Sequence, residues 1–163
     1  MPTLQDYSIF RRQWESTGEA TANGRSIAIA RDESSMAFIS AVIVIGRRGS
    51  RMVNAQWDTG AEISCVSRRL IRSIQPKPQG CSVVAGVSGE TTSFDFVVDI
   101  MLAPEFHIRN VEVCSALLAR DDIDLIIGMD IISMGDLAIS NYDGRPTLSF
   151  RIPSLERTDY TQQ

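Results

Sequence analysis

Histidine is almost missing from this sequence: the 163-residue chain carries one, His107. A Ser-His-Asp triad or a His-rich metal centre therefore has little to draw on. His107 sits in a locally polar stretch, which predicts a loop or surface position and no chemical role. Cysteine is scarce as well. Cys65, Cys81 and Cys114 are odd in number and show no CxxC spacing, so reduced thiols in ordinary packing roles are expected, with no metal site. Long apolar runs are lacking too. The longest near the middle, Ala41 to Ile45, falls far short of a membrane span. The opening "MPTLQDYSIFRRQWE" has no apolar signal core, so a cytoplasmic location without membrane contact is the expectation. Concentrated positive charge is also missing. The net charge is -4, and the pairs Arg11-Arg12, Arg47-Arg48 and Arg68-Arg69 stand isolated, which argues against nucleic acid as a partner.

What is present fits one globular domain, with 44% apolar and 22% charged residues. Residues 1–35 read as a polar N-terminal arm, loosely ordered in part, in which "SIAIA" (26–30) is a short strand candidate. Residues 36–153 read as a mostly β domain, and 154–163 as a polar tail. "MAFISAVIVIG", the turn "RRGS" and "RMVNAQW" predict a hairpin that delivers Asp58 at its end. "ISCVSRRLIRSI" suits either a short helix or a strand and turn, and "QPKPQG" predicts a loop. "CSVVAGVSGETTSFDFVVDI" predicts a long hairpin with "AGVSGE" at its tip. Its second arm places Thr92, Phe94, Phe96, Val98 and Ile100 on one face, with Ser93, Asp95 and Asp99 on the other. "APEFH" reads as a loop and "IRNVEVCSALL" as a further strand. "DLII" reads as a short strand, and "MDIISM" as one or two helical turns ended by Gly135. "LAISNYDGRPTLSFRI" is a hairpin turning at Asp143-Gly144, with Leu148, Phe150 and Ile152 sharing a face.

The chemistry centres on "QWDTGAEISCVS". An Asp-Thr-Gly at a strand end lets Gly60 turn tightly, so that its N–H can face the Asp58 carboxylate, while Thr59 offers a hydroxyl for bonding between loops. Two such loops face to face bring two carboxylates together, and the pair then shares one proton. The ionised member takes a proton from an attacking water; the protonated member donates to the peptide carbonyl.

Three stretches in order resemble the retroviral-type, retropepsin-like aspartic proteases, in particular their bacterial single-domain members. "DTGAE" (58–62) is similar to the catalytic loop, "VVAGVSGE" (83–90) to the glycine-bearing flap, and "DLIIGMDII" (124–132) to the strand and short helix that buttress the loop. The resemblance covers roughly residues 36–153 and implies a single-lobe, closed β fold with one short C-terminal helix. It implies an aspartic endopeptidase with no cofactor, taking a peptide or protein substrate in extended conformation. Asp58 would be catalytic and Thr59, Gly60 and Ala61 would support it. Ala85, Gly86, Val87, Ser88 and Gly89 would form the flap. Ile126, Ile127 and Gly128 would give structural support and subsite wall. No second Asp-Thr-Gly or Asp-Ser-Gly occurs in the chain. The missing carboxylate is therefore expected from Asp58 of a second copy, in a C2 homodimer.

Two positions depart from the retroviral pattern. Met129 stands where those enzymes often have an Arg paired with the acidic residue after the loop, so Glu62 lacks that partner. Trp57 is bulkier than the usual aliphatic residue before the Asp. The alternative function on these residues is a catalytically silent peptide-binding or assembly module that keeps the fold.

Overall fold

The structure, a computed structural model, describes residues 20–23, 25–31, 35–86 and 89–162. Much of the N-terminal arm and the flap positions Val87 and Ser88 lie outside the described residues.

A continuous apolar run, a glycine-bearing turn and an alternating return strand produce the first hairpin as expected: β3 (Phe38–Gly46) and β4 (Gly49–Trp57) pair antiparallel around Arg47-Arg48. The ambiguous stretch after Asp58 becomes both alternatives in turn. β5 (Cys65–Ser67) runs straight into α1 (Arg68–Ile74), capped by the Ser67 hydroxyl, which accepts from Leu70 N–H at 3.1 Å. The fold thus has a second helix besides the expected C-terminal one. β6 (Lys77–Gly86), β7 (Gly89–Ala103) and β8 (Phe106–Ala116) form a meander, and the expected loop at "APEFH" shrinks to a tight turn at Pro104-Glu105. His107 accordingly lies within β8, half-buried, its Nε2 3.3 Å from the Pro104 carbonyl. β9 (Leu125–Ile127) and α2 (Met129–Ile132) follow.

These strands form one sheet in the order β3-β4-β9-β5-β8-β7-β6. An added pairing of β3 with β7 closes six of them into a barrel and leaves β6 as an arm on its rim. That edge position explains why "QPKPQG" is strand from Lys77 onward and not loop. An edge strand tolerates Pro78, and the register shifts between Pro78 and Gly80. β9 is inserted between β4, which it meets in parallel, and β5, which it meets antiparallel.

The β7 pattern differs from its reading. Val98 and Ile100 are buried, but Phe94 is 64% exposed while Ser93 is 4% exposed. N-terminal to Phe96 the strand lies outside the barrel and pairs with β6, so the face that meets the core farther along meets solvent there. Ser93 is sheltered on the other face, and its hydroxyl donates to the Ser115 carbonyl at 2.7 Å.

A second sheet, β1-β2-β11-β10, packs against this barrel. It comprises β1 (Ala20–Asn23), β2 (Ser26–Ala30), β10 (Asp136–Ser140) and β11 (Thr147–Arg151). The "SIAIA" candidate is thus a strand, with Ile27 and Ile29 in the core opposite Phe150 and Leu148. Asp143 and Gly144 both take positive φ, as the hairpin turn requires. Phe150 reaches Trp57 with ring centroids 5.1 Å apart, and Phe106 at 6.1 Å, joining the two sheets directly behind Asp58. Trp57 is core: its indole N–H donates to the buried Ser40 hydroxyl at 3.0 Å.

Candidate active site

Asp58 leaves the end of β4 half-buried, its N–H still held by the Ile127 carbonyl of β9 at 3.0 Å. The chain then turns. Ala61 N–H bonds back to the Asp58 carbonyl at 3.2 Å, and Gly60 N–H donates to Asp58 Oδ1 at 2.8 Å, the arrangement the tight Asp-Thr-Gly turn predicts. A Cβ on Gly60 would lie 3.2 Å from that same oxygen. Thr59 and Gly60 are exposed, and Ala61 is half-buried.

The loop is held from below by the β9–α2 junction. Met129 N–H donates to the Ala61 carbonyl at 2.8 Å and Asp130 N–H to the Glu62 carbonyl at 3.1 Å. Gly128 is buried at this crossing, where a Cβ would come within 2.9 Å of Ala61 O and Ile63 C and 3.0 Å of Ser64 N. Its φ of -95° is ordinary, so space and not backbone conformation demands glycine here. Strand alternation separates its neighbours. Ile127 is fully buried, whereas Ile126 points the other way and is half-exposed.

Two residues essential to this arrangement were not singled out in the sequence. Ser64 is fully buried; its hydroxyl donates to Asp130 Oδ1 at 2.7 Å and accepts from Gly128 N–H at 3.0 Å. Ser64 N–H donates to Asp130 Oδ2 at 3.1 Å. The carboxylate at 130 thus ties the far end of the loop to α2, so an arginine at 129 is not needed for that connection. A serine at the loop exit and an acidic residue two positions after the "IIG" glycine were the available signals, but each is common alone.

The proposed flap is less fully described. Ala85 and Gly86 end β6, Gly86 pairs with Gly89, and Gly89 opens β7 at φ 107°, a conformation that favours glycine. Among the described residues, no hydrogen bond joins this tip to the Asp58 loop. The two remaining features nearby are thiols. Cys65 and Cys114 are register partners on β5 and β8, with Sγ atoms 2.8 Å apart. A groove of about 440 Å³ lies elsewhere, between β2, β10, β11 and residues 156 and 158, and Asp58 does not line it.

A family model described as an aspartyl protease matches residues 44–131, from β3 through the start of α2 and so across the whole Asp58 support. The chain belongs to the aspartyl protease family. Among solved structures, this aspartyl protease is similar to the EIAV protease complexed with the inhibitor HBY-793. The identity is 20% and the TM-score 0.50, over 63% of this chain and 91% of that one. It is also similar to a retropepsin-like aspartic protease from Rickettsia conorii, at 13% identity and a TM-score of 0.51, over 81% and 92% of the two chains. At such identities the likeness is one of fold, and the fold is retropepsin-like. No curated protein matches the chain. Among the described residues, no helix is long and apolar enough to cross a membrane.

Proposed function

We propose that this aspartyl protease is an endopeptidase that works as a homodimer, with one Asp58 from each copy forming the catalytic pair. The observation that carries the reading is the Asp58 turn itself. One carboxylate oxygen is fixed by the Gly60 N–H, the turn is anchored on β9 and α2, and the chain holds a single Asp-Thr-Gly. A fold of this kind with one such turn needs a second copy to complete a carboxylate pair, and a two-fold axis opposes the same turn to itself.

In the assembled pair one proton is shared, because adjacent carboxylates resist double ionisation. The ionised Asp58 accepts a proton from water as it attacks the scissile carbonyl. The protonated Asp58 donates to the carbonyl oxygen, and the tetrahedral intermediate collapses as a proton passes to the leaving amine. Thr59 bonds across the dimer, Gly60 holds the carboxylate, and Ala61 keeps the floor of the cleft small. Residues 85–89 close over the substrate backbone, and the half-exposed Ile126 contributes apolar wall. An extended peptide is held by backbone hydrogen bonds of the β type. The catalytic unit spans residues 36–153, with β2 packed onto it.

The test is cleavage of a diverse peptide library, read by mass spectrometry across acidic to neutral pH at several protein concentrations. The expected result is cleavage by wild type that rises with dimer fraction and is absent in Asp58→Asn. A folded dimer that binds extended peptides and cuts none would replace this reading with a silent binding module. Equal cleavage by both proteins would point to a contaminating protease.

A further inference from the structure

Cys65 and Cys114 lie far apart in the chain yet face each other immediately behind the Asp58 loop. Their residues are register partners on the neighbouring strands β5 and β8. Such partners sit roughly 5 Å apart at Cα, inside the about 4.4–6.8 Å range that a disulfide accepts. The two Sγ atoms are 2.8 Å apart, already in mutual hydrogen-bonding contact. Cys65 is half-buried and reachable from solvent, whereas Cys114 is 2% exposed. The third thiol, Cys81, is exposed on β6.

We infer that Cys65 and Cys114 form a redox-active dithiol that closes to a reversible disulfide on exposure to a peroxide, locking β5 to β8 behind the Asp58 turn. The electrostatics of the pair agree with this. The hydrogen bond from Cys65 draws the Cys114 thiol down to about 7, and the same bond, with burial, raises Cys65. The first proton is thus lost easily from the pair, and one proton shared between the two sulfurs lets either act as thiolate. The half-buried Cys65 sulfur, a thiolate once its proton passes to Cys114, attacks hydrogen peroxide; the O–O bond breaks, hydroxide departs, and a sulfenic acid is left on Cys65. Cys114 then attacks that sulfur, the S–O bond breaks, and water departs. Two thiols and one peroxide become one disulfide and two waters.

Ser64 lies between Asp58 and this bridge and carries the loop's tie to Asp130. The Cys114 N–H also holds the Ser64 carbonyl at 3.0 Å. Drawing the sulfurs together therefore moves the loop anchor. A loss of cleavage on oxidation follows, a consequence that rests on the protease reading above.

The experiment uses the full chain in a Cys81→Ser background, reduced or treated with hydrogen peroxide. Expected are a mass loss of about 2 Da, a Cys65–Cys114 peptide in the non-reducing digest, and full reversal by dithiothreitol. The oxidised form should melt about 5–10 °C higher, and peptide cleavage should fall about tenfold. A Cys65→Ser variant treated alike should show no bridge and keep its own untreated rate. Both thiols staying open to alkylation after peroxide, or Cys65 over-oxidising without a bridge, would overturn the dithiol. A bridge that leaves cleavage unchanged would overturn its control of the site. A reduced protein that cuts nothing fails the protease reading alone, because the thiol map decides the pair without it.

Discussion

Removing one buried hydroxyl tests how the Asp58 loop is held. In Ser64→Ala, two hydrogen bonds go: the 2.7 Å donation to Asp130 and the 3.0 Å acceptance from Gly128 N–H. The two losses differ in cost. Asp130 keeps the Ser64 and Ile131 N–H groups, so its carboxylate is not stranded and loses only the net value of one charged bond, about 1.5 kcal/mol. Gly128 N–H is left orphaned at a buried crossing, which costs about 1–2 kcal/mol. The sum is about 3 kcal/mol, or a fall in urea midpoint of roughly 1–2 M for a chain of this size. Urea unfolding followed by circular dichroism measures it, and Ser64→Thr, which keeps the hydroxyl, should retain more of the stability. A double-mutant cycle with Asp130→Ala should give a coupling of about 1 kcal/mol or more. A Ser64→Ala loss under about 0.5 kcal/mol, or additivity in the cycle, would refute the claim that these residues act as one anchor.

Gly128→Ala should destabilise by about 1–3 kcal/mol or more, because the added methyl meets three backbone atoms that cannot step aside; thermal melting checks this, and a wild-type Tm would contradict it. Asp136 tethers the C-terminal tail, accepting from Ser154, from Leu155 and Glu156 N–H, and from Arg151. These partners hold its carboxyl well below the ordinary 3.8. Its contribution is therefore present above that ordinary value and is lost as pH falls through the lower folded-state value. Asp136→Asn should melt below wild type at neutral pH, and the gap should close in strong acid; a gap independent of pH would show that the charge is not what matters.

Much of the barrel was legible because its determinants are local. A β-branched apolar run, a glycine-bearing turn and an alternating return define β3 and β4, and Asp143-Gly144 defines the last hairpin before any tertiary contact is considered. The Asp58 turn was legible for the same reason, since the Gly60 bond to the carboxylate spans two residues. What escaped depends on neighbours supplied from far along the chain. Prolines at 76 and 78 signal a loop until β6 proves to be a sheet edge. Phe94 and Ser93 exchange their expected exposure because β7 outruns the barrel, and alternation alone carries no mark of where a core ends. His107 looked like loop because its stretch is locally polar, but the turn before it takes only two residues and leaves it in β8. Ser64 and Asp130, or Cys65 and Cys114, are ordinary residues until β9 and β8 bring them together.

The insertion of β9 between β4 and β5 also sets the order of events during synthesis. The turn at Asp58 emerges from the ribosome early, but the groups that hold it belong to residues 124–131. Until those residues arrive, β4 and β5 lack the strand that separates them, and Asp58 has neither the Ile127 carbonyl behind its N–H nor α2 beneath its loop. A nascent or truncated chain therefore displays the Asp-Thr-Gly letters without the shape. On the protease reading proposed above, a half-made copy lacks the shaped turn that cleavage requires, and connectivity alone keeps it silent.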